Sequence, residues 1–291
     1  MRNFNPAEEA ERIKKFLRKF IEDHGFKGAT IGVSGGIDSA VVLFLLKDVI
    51  TKSKIKAMIL PERDSSPQSV KDANLVCKEA GIECELRPIT SILRKLGIYS
   101  LQPPAFFASY NMKAKYALDK WKELAGDNAY IKDITLDGNE EFLRGLAYYR
   151  AKHRVRMCVL YMEAEMRGYT VVGTTNKTEW LTGFYVKWGD DATDVEPLLH
   201  LYKTEVFKLA DYLGVPKRII EKPPTPDLIP GVTDEFALGM TYGEIDEILM
   251  AMENGKDLKK FDEGKVNHVK KLVEFAKKRN LRMVSLESQW L

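Results

Sequence analysis

A short apolar run, Ala29 to Val33, passes straight into Ser34-Gly35-Gly36-Ile37-Asp38-Ser39 and then into a helix-like segment from Asp38 to Val49. Few folds accept that order. Adjacent glycines let the chain turn tightly with its N–H groups pointing inward, and a helix starting at once adds partial positive charge, so the loop suits a phosphate anion. The Ser34 and Ser39 hydroxyls supply further donors. The lysine of a Walker A loop is missing and no Gly-x-Gly-x-x-Gly string occurs, so neither of those nucleotide motifs applies. A plain glycine turn, with Asp38 as a first-turn acid favoured by the helix dipole, uses the same residues.

Strands and helices alternate through much of the chain. Asn5 is placed to cap a helix with Pro6 at its first position and an apolar stripe of Ala10, Ile13, Phe16, Leu17, Phe20 and Ile21, ended by Gly25. Ile55 to Leu60 reads as a second buried strand, Ser66 to Gly81 as a capped helix, and Ile82 to Pro88 as a third strand. Tyr169 to Val172 is a fourth strand, and Thr204 to Leu213 is a helix closed by Gly214 and Pro216. This pattern predicts an α/β fold with a doubly wound, mainly parallel sheet and ligands at the carboxyl ends of its strands. Residues 1–291 are expected to form one domain, with a helical insertion at about 95–148. There the pattern breaks at Pro103-Pro104, and a helix over 111–125 carries Ala114, Leu118, Trp121 and Ala125 on one stripe.

Charge and cysteine usage narrow the class. The 45 Lys and Arg against 42 Asp and Glu leave +3, too little for a global field that attracts nucleic acid. Cys77, Cys84 and Cys158 lack C-x-x-C spacing, which predicts buried thiols in a reducing compartment rather than a disulfide framework or zinc site. No apolar run has the length of a signal peptide or membrane span, so the expectation is a cytoplasmic protein without a membrane partner. His24, His153, His200 and His268 show no metal-ligand spacing and read as structural or solvated.

A second constellation, Gly173 to Val206, interleaves Lys177, Glu179, Lys187, Asp190, Asp194 and Lys203 with Trp180, Phe184, Tyr185 and Trp188. Charges mixed with aromatics just past a buried strand suit a polyanionic ligand that carries flat rings. The Ser-Gly-Gly-x-Asp-Ser string resembles the pyrophosphate loop of the N-type ATP pyrophosphatases, which implies an adenine nucleotide alpha hydrolase-like fold. The later string is similar to the signature of the NAD synthetase family, as are Lys222-Pro-Pro-Thr225-Pro-Asp-Leu, Pro230-Gly-Val-Thr-Asp-Glu, Leu238-Gly-x-x-Tyr242, Ser65-Ser66-x-x-Ser69-x-x-Asp72-Ala73 and Arg154-x-Arg156-Met157. Asp191 stands where that signature has Gly, Arg150 near a position that has Asn, and Lys277-Lys278-Arg279 where it has His-Lys-Arg.

The resemblance implies roles for particular residues. Ser34, Gly35, Gly36, Ile37, Asp38, Ser39, Thr174, Lys203 and Thr225 would contact ATP, the co-substrate, and Asp38 and Glu179 would hold Mg2+. Asp38, Glu179 and Lys203 form the catalytic set. Arg154, Lys187, Asp194, Lys277 and Lys278 would contact deamido-NAD. The implied reaction is adenylation of the nicotinate carboxylate with release of pyrophosphate, followed by displacement of AMP by ammonia in a homodimer whose acid site crosses the interface. The insertion would then be a cover over the ligand site or dimer interface, or else a cluster packed on its own subunit. Two alternatives use the same residues: a pyrophosphatase-loop ligase adenylating another carboxylate, and a nucleotide-binding sensor without turnover.

Overall fold

The computed structural model describes residues 4–102, 112, 115, 119, 123, 129–225 and 232–282. Four strands, β1 (Ala29–Gly32), β2 (Ile55–Ile59), β3 (Cys84–Leu86) and β4 (Thr170–Val171), lie parallel in the order β3-β2-β1-β4. Ala29 of β1 pairs with Ile55 of β2 on one side and with Thr170 of β4 on the other. In chain order the helices are α1 (Pro6–Asp23), α2 (Ile37–Leu46), α3 (Pro67–Ala80), α4 (Thr90–Lys95), α5 (Ala129–Thr135) and α6 (Glu140–Glu165). They continue as α7 (Lys177–Thr182), α8 (Lys203–Tyr212), α9 (Lys217–Ile220), α10 (Asp234–Leu238), α11 (Tyr242–Glu253) and α12 (Glu263–Asn280).

The two-residue period of a strand explains the layers. Ile55, Ala57 and Ile59 of β2 enter a core shared with α1, α2, α3 and α8. Met58 and the following Leu60 join Ile89, Leu93, Val155 and Val159 on the opposite face, beneath α4 and α6. Gly32 of β1 faces α6 closely: a Cβ there would sit 3.4 Å from the Leu160 side chain. Helix α2 is buried on almost every side, as its run of apolar residues requires. A second core of Tyr130, Ile134, Tyr242, Ile245, Leu249, Val269 and Leu272 joins α5, α11 and α12. Among the described residues no helix is long and apolar enough to cross a membrane.

Local signals hold where local chemistry decides. Asn5 accepts from the Ala7 N–H at 3.1 Å, and Ser66 caps α3 through the Gln68 N–H at 3.2 Å. Phe16 departs from the expected stripe and is 49% exposed, ring to ring with Phe20, because the core takes only the Ala10, Ile13, Leu17 and Ile21 side of α1. Of the helix expected over 111–125, Met112, Lys115, Asp119 and Glu123 are helical and exposed, while Ala114, Leu118, Trp121 and Ala125 lie outside the described residues.

The cysteines correct the sequence reading. Cys77 in the last turn of α3 and Cys84 at the start of β3 form a disulfide, with Cα atoms 6.2 Å apart, and Cys158 is exposed. Gly81, at φ +66°, turns the helix end back into the strand and brings the pair within bridging reach. A search for C-x-x-C spacing does not detect a pair joined by such a turn.

One buried polar network fixes the segment after β2 on α6. Lys152 is 1% exposed, with Nζ 2.8 Å from Glu62 Oε1 and 3.3 Å from Asp64 Oδ2, and it lies over the Tyr148 ring. Tyr148 donates to Asp64, and Tyr99 donates to Glu62 Oε2 at 2.9 Å. A buried cation with two carboxylates is costly to break from one side. Lys152→Met should therefore lower unfolding free energy by about 3–5 kcal/mol, measured by chemical denaturation; an unchanged midpoint would mean the network carries no such weight.

Candidate nucleotide site at the carboxyl ends of the strands

The chain runs from β1 outward to β2 and β3, then returns to place β4 on the other side of β1. Loops leaving β1 and β4 therefore diverge, and a crevice opens between them. Residues 34–39 leave β1 on one side of this crevice and residues 173–182 leave β4 on the other.

Gly35 sits at φ +81°, and a Cβ on it would fall 2.5 Å from the Ser69 carbonyl of α3, so glycine is required on both counts. The loop is stitched by its own hydroxyls. Ser34 Oγ accepts from the Gly36 N–H at 3.2 Å and lies 3.1 Å from Ser39 Oγ, which donates to the Gly36 carbonyl. Asp38 is thereby carried on the first turn of α2, facing the β4 loop.

Asn176 closes the crevice. Its Oδ1 accepts from the Glu179 N–H at 3.0 Å, Glu179 Oε2 accepts from the Asn176 N–H at 3.2 Å, and its Nδ2 donates to Asp38 Oδ1 at 3.0 Å. A helix cap on α7 thus doubles as a brace across the sheet. Lys203, the first residue of α8, is 1% exposed and donates to Asp38 Oδ2 at 2.6 Å and Glu179 Oε1 at 3.3 Å. Asp246 of α11 sets the register of both helices, accepting from Thr178 Oγ1 at 2.5 Å and from the Thr204 N–H at 2.8 Å.

Asp234 completes the cluster. Burial pushes Glu179 up to about 8 against the pull of Lys203, with Asp38 and Asp234 adding repulsion. Burial likewise raises Asp234 to about 6, while Lys203 and a hydrogen bond from Tyr242 oppose the rise. Burial works against the Lys203 charge, but Asp38, Glu179 and Asp234 outweigh it and hold the ammonium protonated. The excess of carboxylate over ammonium suits a hard divalent cation. Asp234 Oδ1 is buried without a hydrogen-bond partner among the described residues, which marks the same need. No group of three or more His, Cys, Asp or Glu among the described residues forms a metal cage. A Mg2+ ion held by Asp38 and Glu179 would complete its shell from phosphate oxygens and water, the usual arrangement for that ion.

One cavity of about 350 Å³ collects most of the residues expected at the nucleotide: Ser34, Gly36, Ile37, Asp38, Ser39, Thr174, Glu179, Lys203 and Thr225 all line it. Gly35 stands behind the loop, its carbonyl 3.4 Å from Lys222 Nζ. The residues expected at the dinucleotide are scattered. Arg154 is exposed and donates to the Lys187 carbonyl at 3.1 Å. Asp194 accepts from Tyr161 at 2.9 Å and lines a separate groove with Trp180, Trp188 and Arg282. Lys277 and Lys278 are exposed outside both hollows, whereas their neighbour Arg279 enters the cavity wall and donates to Asp133 Oδ1 at 2.7 Å. Helix phase separates them, a distinction that a basic string does not reveal.

Sequence reasoning assigns no role to Asp234, Glu196 or Arg279, and it reads His153 as structural or solvated. Asp234 lies within Pro230-Gly-Val-Thr-Asp-Glu, and an acid at the first helical position after the Thr233 cap is the available signal. The others depend on contacts between distant elements.

The fold and site define a class: a parallel α/β nucleotide-binding protein with a phosphate-type loop and a carboxylate–lysine cluster at its topological switch point. The description "NAD synthase" belongs to the family whose sequence model matches residues 9–121 and 123–282. The chain is a member of the NAD synthase family. It is 54% identical over 268 residues to the NH(3)-dependent NAD(+) synthetase of Thermotoga neapolitana, covering 92% of each chain. It is 43% identical to the enzyme of the same name from Coprothermobacter proteolyticus, covering 86% of each. Among solved structures it resembles the NMN synthetase of Francisella tularensis, with TM-score 0.74 and 27% identity over 98% of this chain and 100% of that one. The NH3-dependent NAD synthetase of Campylobacter jejuni shares the fold, with TM-score 0.70 and 24% identity over 97% and 100%.

Glu196 gives a pH signature. Its Oε2 accepts from the Thr175 N–H and its Oε1 from Thr193, each at 2.9 Å, and burial pushes its carboxyl from 4.5 up to about 8. Below pH 4.5 the group is neutral folded and unfolded and contributes nothing to the pH dependence. Between about 4.5 and 8 the unfolded chain ionises first, so stability falls with rising pH and stays lower above that window. Glu196→Gln should therefore gain melting temperature relative to the parent as pH is raised from 5 to 9, by differential scanning calorimetry. A pH-independent difference would contradict the assignment.

Proposed function

We propose that the protein amidates deamido-NAD to NAD with ammonia in an ATP-dependent, Mg2+-requiring reaction that passes through an adenylate and releases AMP and pyrophosphate. The observation that carries this is the meeting of Asp38, Glu179 and Lys203 across the crevice, beside a glycine loop and in one cavity. The family membership supports it, and the relatives' names give ammonia as nitrogen donor and NAD as product.

Chemistry follows from the arrangement. A carboxylate is a poor acyl donor because its leaving group would be oxide, and transfer of AMP to it supplies a better one. The loop N–H groups and the start of α2 bind phosphate, and Lys203 offers fixed positive charge to the oxygens where charge develops. Asp38 and Glu179 would hold Mg2+, which supplies further neutralisation of the triphosphate. The remaining work is alignment of the carboxylate with the α-phosphorus, a task for a water-poor cavity with fixed groups. We assign Arg154, Lys187 and Asp194 to contacts with the acid substrate, in a cytoplasmic homodimer whose second subunit completes that site.

The test is one assay with ATP, Mg2+, ammonium and deamido-NAD. Equal amounts of NAD, AMP and pyrophosphate are expected, and ADP with phosphate would refute the reading. Because a structural relative is an NMN synthetase, the mononucleotide acid belongs in the same panel; preference for it would move the substrate assignment. Asp38→Asn and Glu179→Gln should each lower turnover by about 100-fold or more with circular dichroism unchanged, as expected for groups that organise charge at the reacting phosphate. Near-parental turnover in either variant would remove these residues from the site. Glutamine alone should give no product, since the described residues hold no nucleophile–base pair of a glutaminase.

A further inference from the structure

Transfer of ammonia to an adenylate needs a proton acceptor that the nucleotide site does not provide. Nitrogen's lone pair forms the C–N bond, the C–O bond to AMP breaks with its electrons leaving on the phosphate, and the amine nitrogen must shed one proton. Among the cavity's acids, Asp38 and Glu179 are bound to Lys203, and Asp133 is held by Arg150 and Arg279. Asp234 stands in the cluster that Mg2+ would neutralise, and the remaining lining acid among the described residues, Asp190, lies against His153.

His153 is different. Leu146, Tyr149, Arg150, His153, Met157 and Leu160 recur at three-to-four spacing, so one face of α6 runs along the cavity, and His153 is the imidazole among its described lining residues. Its Nδ1 lies 3.1 Å from Asp190 Oδ1, which also accepts from the Val186 N–H at 2.8 Å. Its Nε2 is buried and has no hydrogen-bond partner among the described residues. Gly189 allows this approach, since a Cβ there would come 2.9 Å from the His153 Cβ. A carboxylate fixed on one ring nitrogen orients the ring and leaves the other nitrogen for a ligand, the arrangement of an oriented general base. Buried polar atoms without partners are rare in folded proteins, and a catalytic role is one reason they persist.

We infer that His153 is the proton acceptor of the amidation step: Nε2 takes the proton released as ammonia attacks the acyl adenylate, with Asp190 as the positioning residue that stabilises the resulting imidazolium. This rests on the proposed amidation and assigns its second half to a residue outside the nucleotide cluster. Carboxylate adenylation releases no proton that needs this acceptor, so the two half-reactions should separate.

The experiment measures both halves at saturating substrates in the full-length protein. Adenylation is followed as deamido-NAD-dependent exchange of labelled pyrophosphate into ATP without ammonia, and amidation as NAD formed per AMP with ammonium. His153→Ala and His153→Gln should retain exchange while NAD formation falls by about 100-fold or more, in the range of general-base loss. AMP should then exceed NAD as the adenylate is lost to water. The Gln variant keeps side-chain bulk, so it decides the matter if the Ala variant does not fold. A loss of NAD formation smaller than about tenfold in the Gln variant would overturn the inference, being short of general-base loss. So would equal loss of exchange and amidation, which would mark a binding role. Absence of exchange in the parent protein would instead sink the amidation reading, and this inference with it.

Discussion

A lysine ammonium with 1% of its residue exposed can stay charged only if its surroundings are organised around it, and Lys203 is in that position. Its partners come from elsewhere: Asp38 from the helix after β1, Glu179 from the helix after β4, and Asp234 from α10. Satisfying this one charge therefore aligns the loops on both sides of the crevice. The cost of burying it is offset by the same carboxylates that a phosphate-bound cation would use. Folding and ligand binding draw on one set of groups here, and Asn176 and Asp246 hold that set in register from behind.

Much of this was legible locally. The expected strands at 29–33, 55–60, 82–88 and 169–172 contain the observed ones, which are shorter because pairing stops where the loops diverge. Asn5 and Ser66 act as caps because capping needs only neighbouring atoms. Asp38, Glu179 and Lys203 were legible as a motif, but nothing in their spacing shows that one ammonium touches both acids. What failed to show depends on tertiary approach. The Cys77–Cys84 bond needs the Gly81 turn, the burial of Lys152 needs α6 against the β2 loop, and the pairing of His153 Nδ1, with its buried Nε2 unpartnered among the described residues, needs Asp190 across from it.

Two of the departures from the family signature, Asp191 and Arg150, are compensated where they occur. Asp191, where the signature has Gly, pairs with Arg282 at 2.7 Å, and that guanidinium stands about 5 Å from both Trp180 and Trp188. Arg150, near the position that has Asn, donates to the Asp133 carbonyl at 2.7 Å and to Oδ2 at 3.1 Å. Burial lowers the tendency of Arg150 to carry its proton, and Asp133 opposes that. Each new charge arrives with an opposite one, so the site's wall changes shape and polarity without leaving an isolated buried ion.

The central claim is that the acid's own oxygen attacks the α-phosphorus of ATP in this crevice. Isotope transfer reads that bond directly. With deamido-NAD labelled with oxygen-18 in its carboxylate, a single turnover with ATP, Mg2+ and ammonium should place one labelled oxygen in the phosphate of AMP, seen by mass spectrometry. Label appearing in inorganic phosphate, or AMP formed without label, would contradict the account.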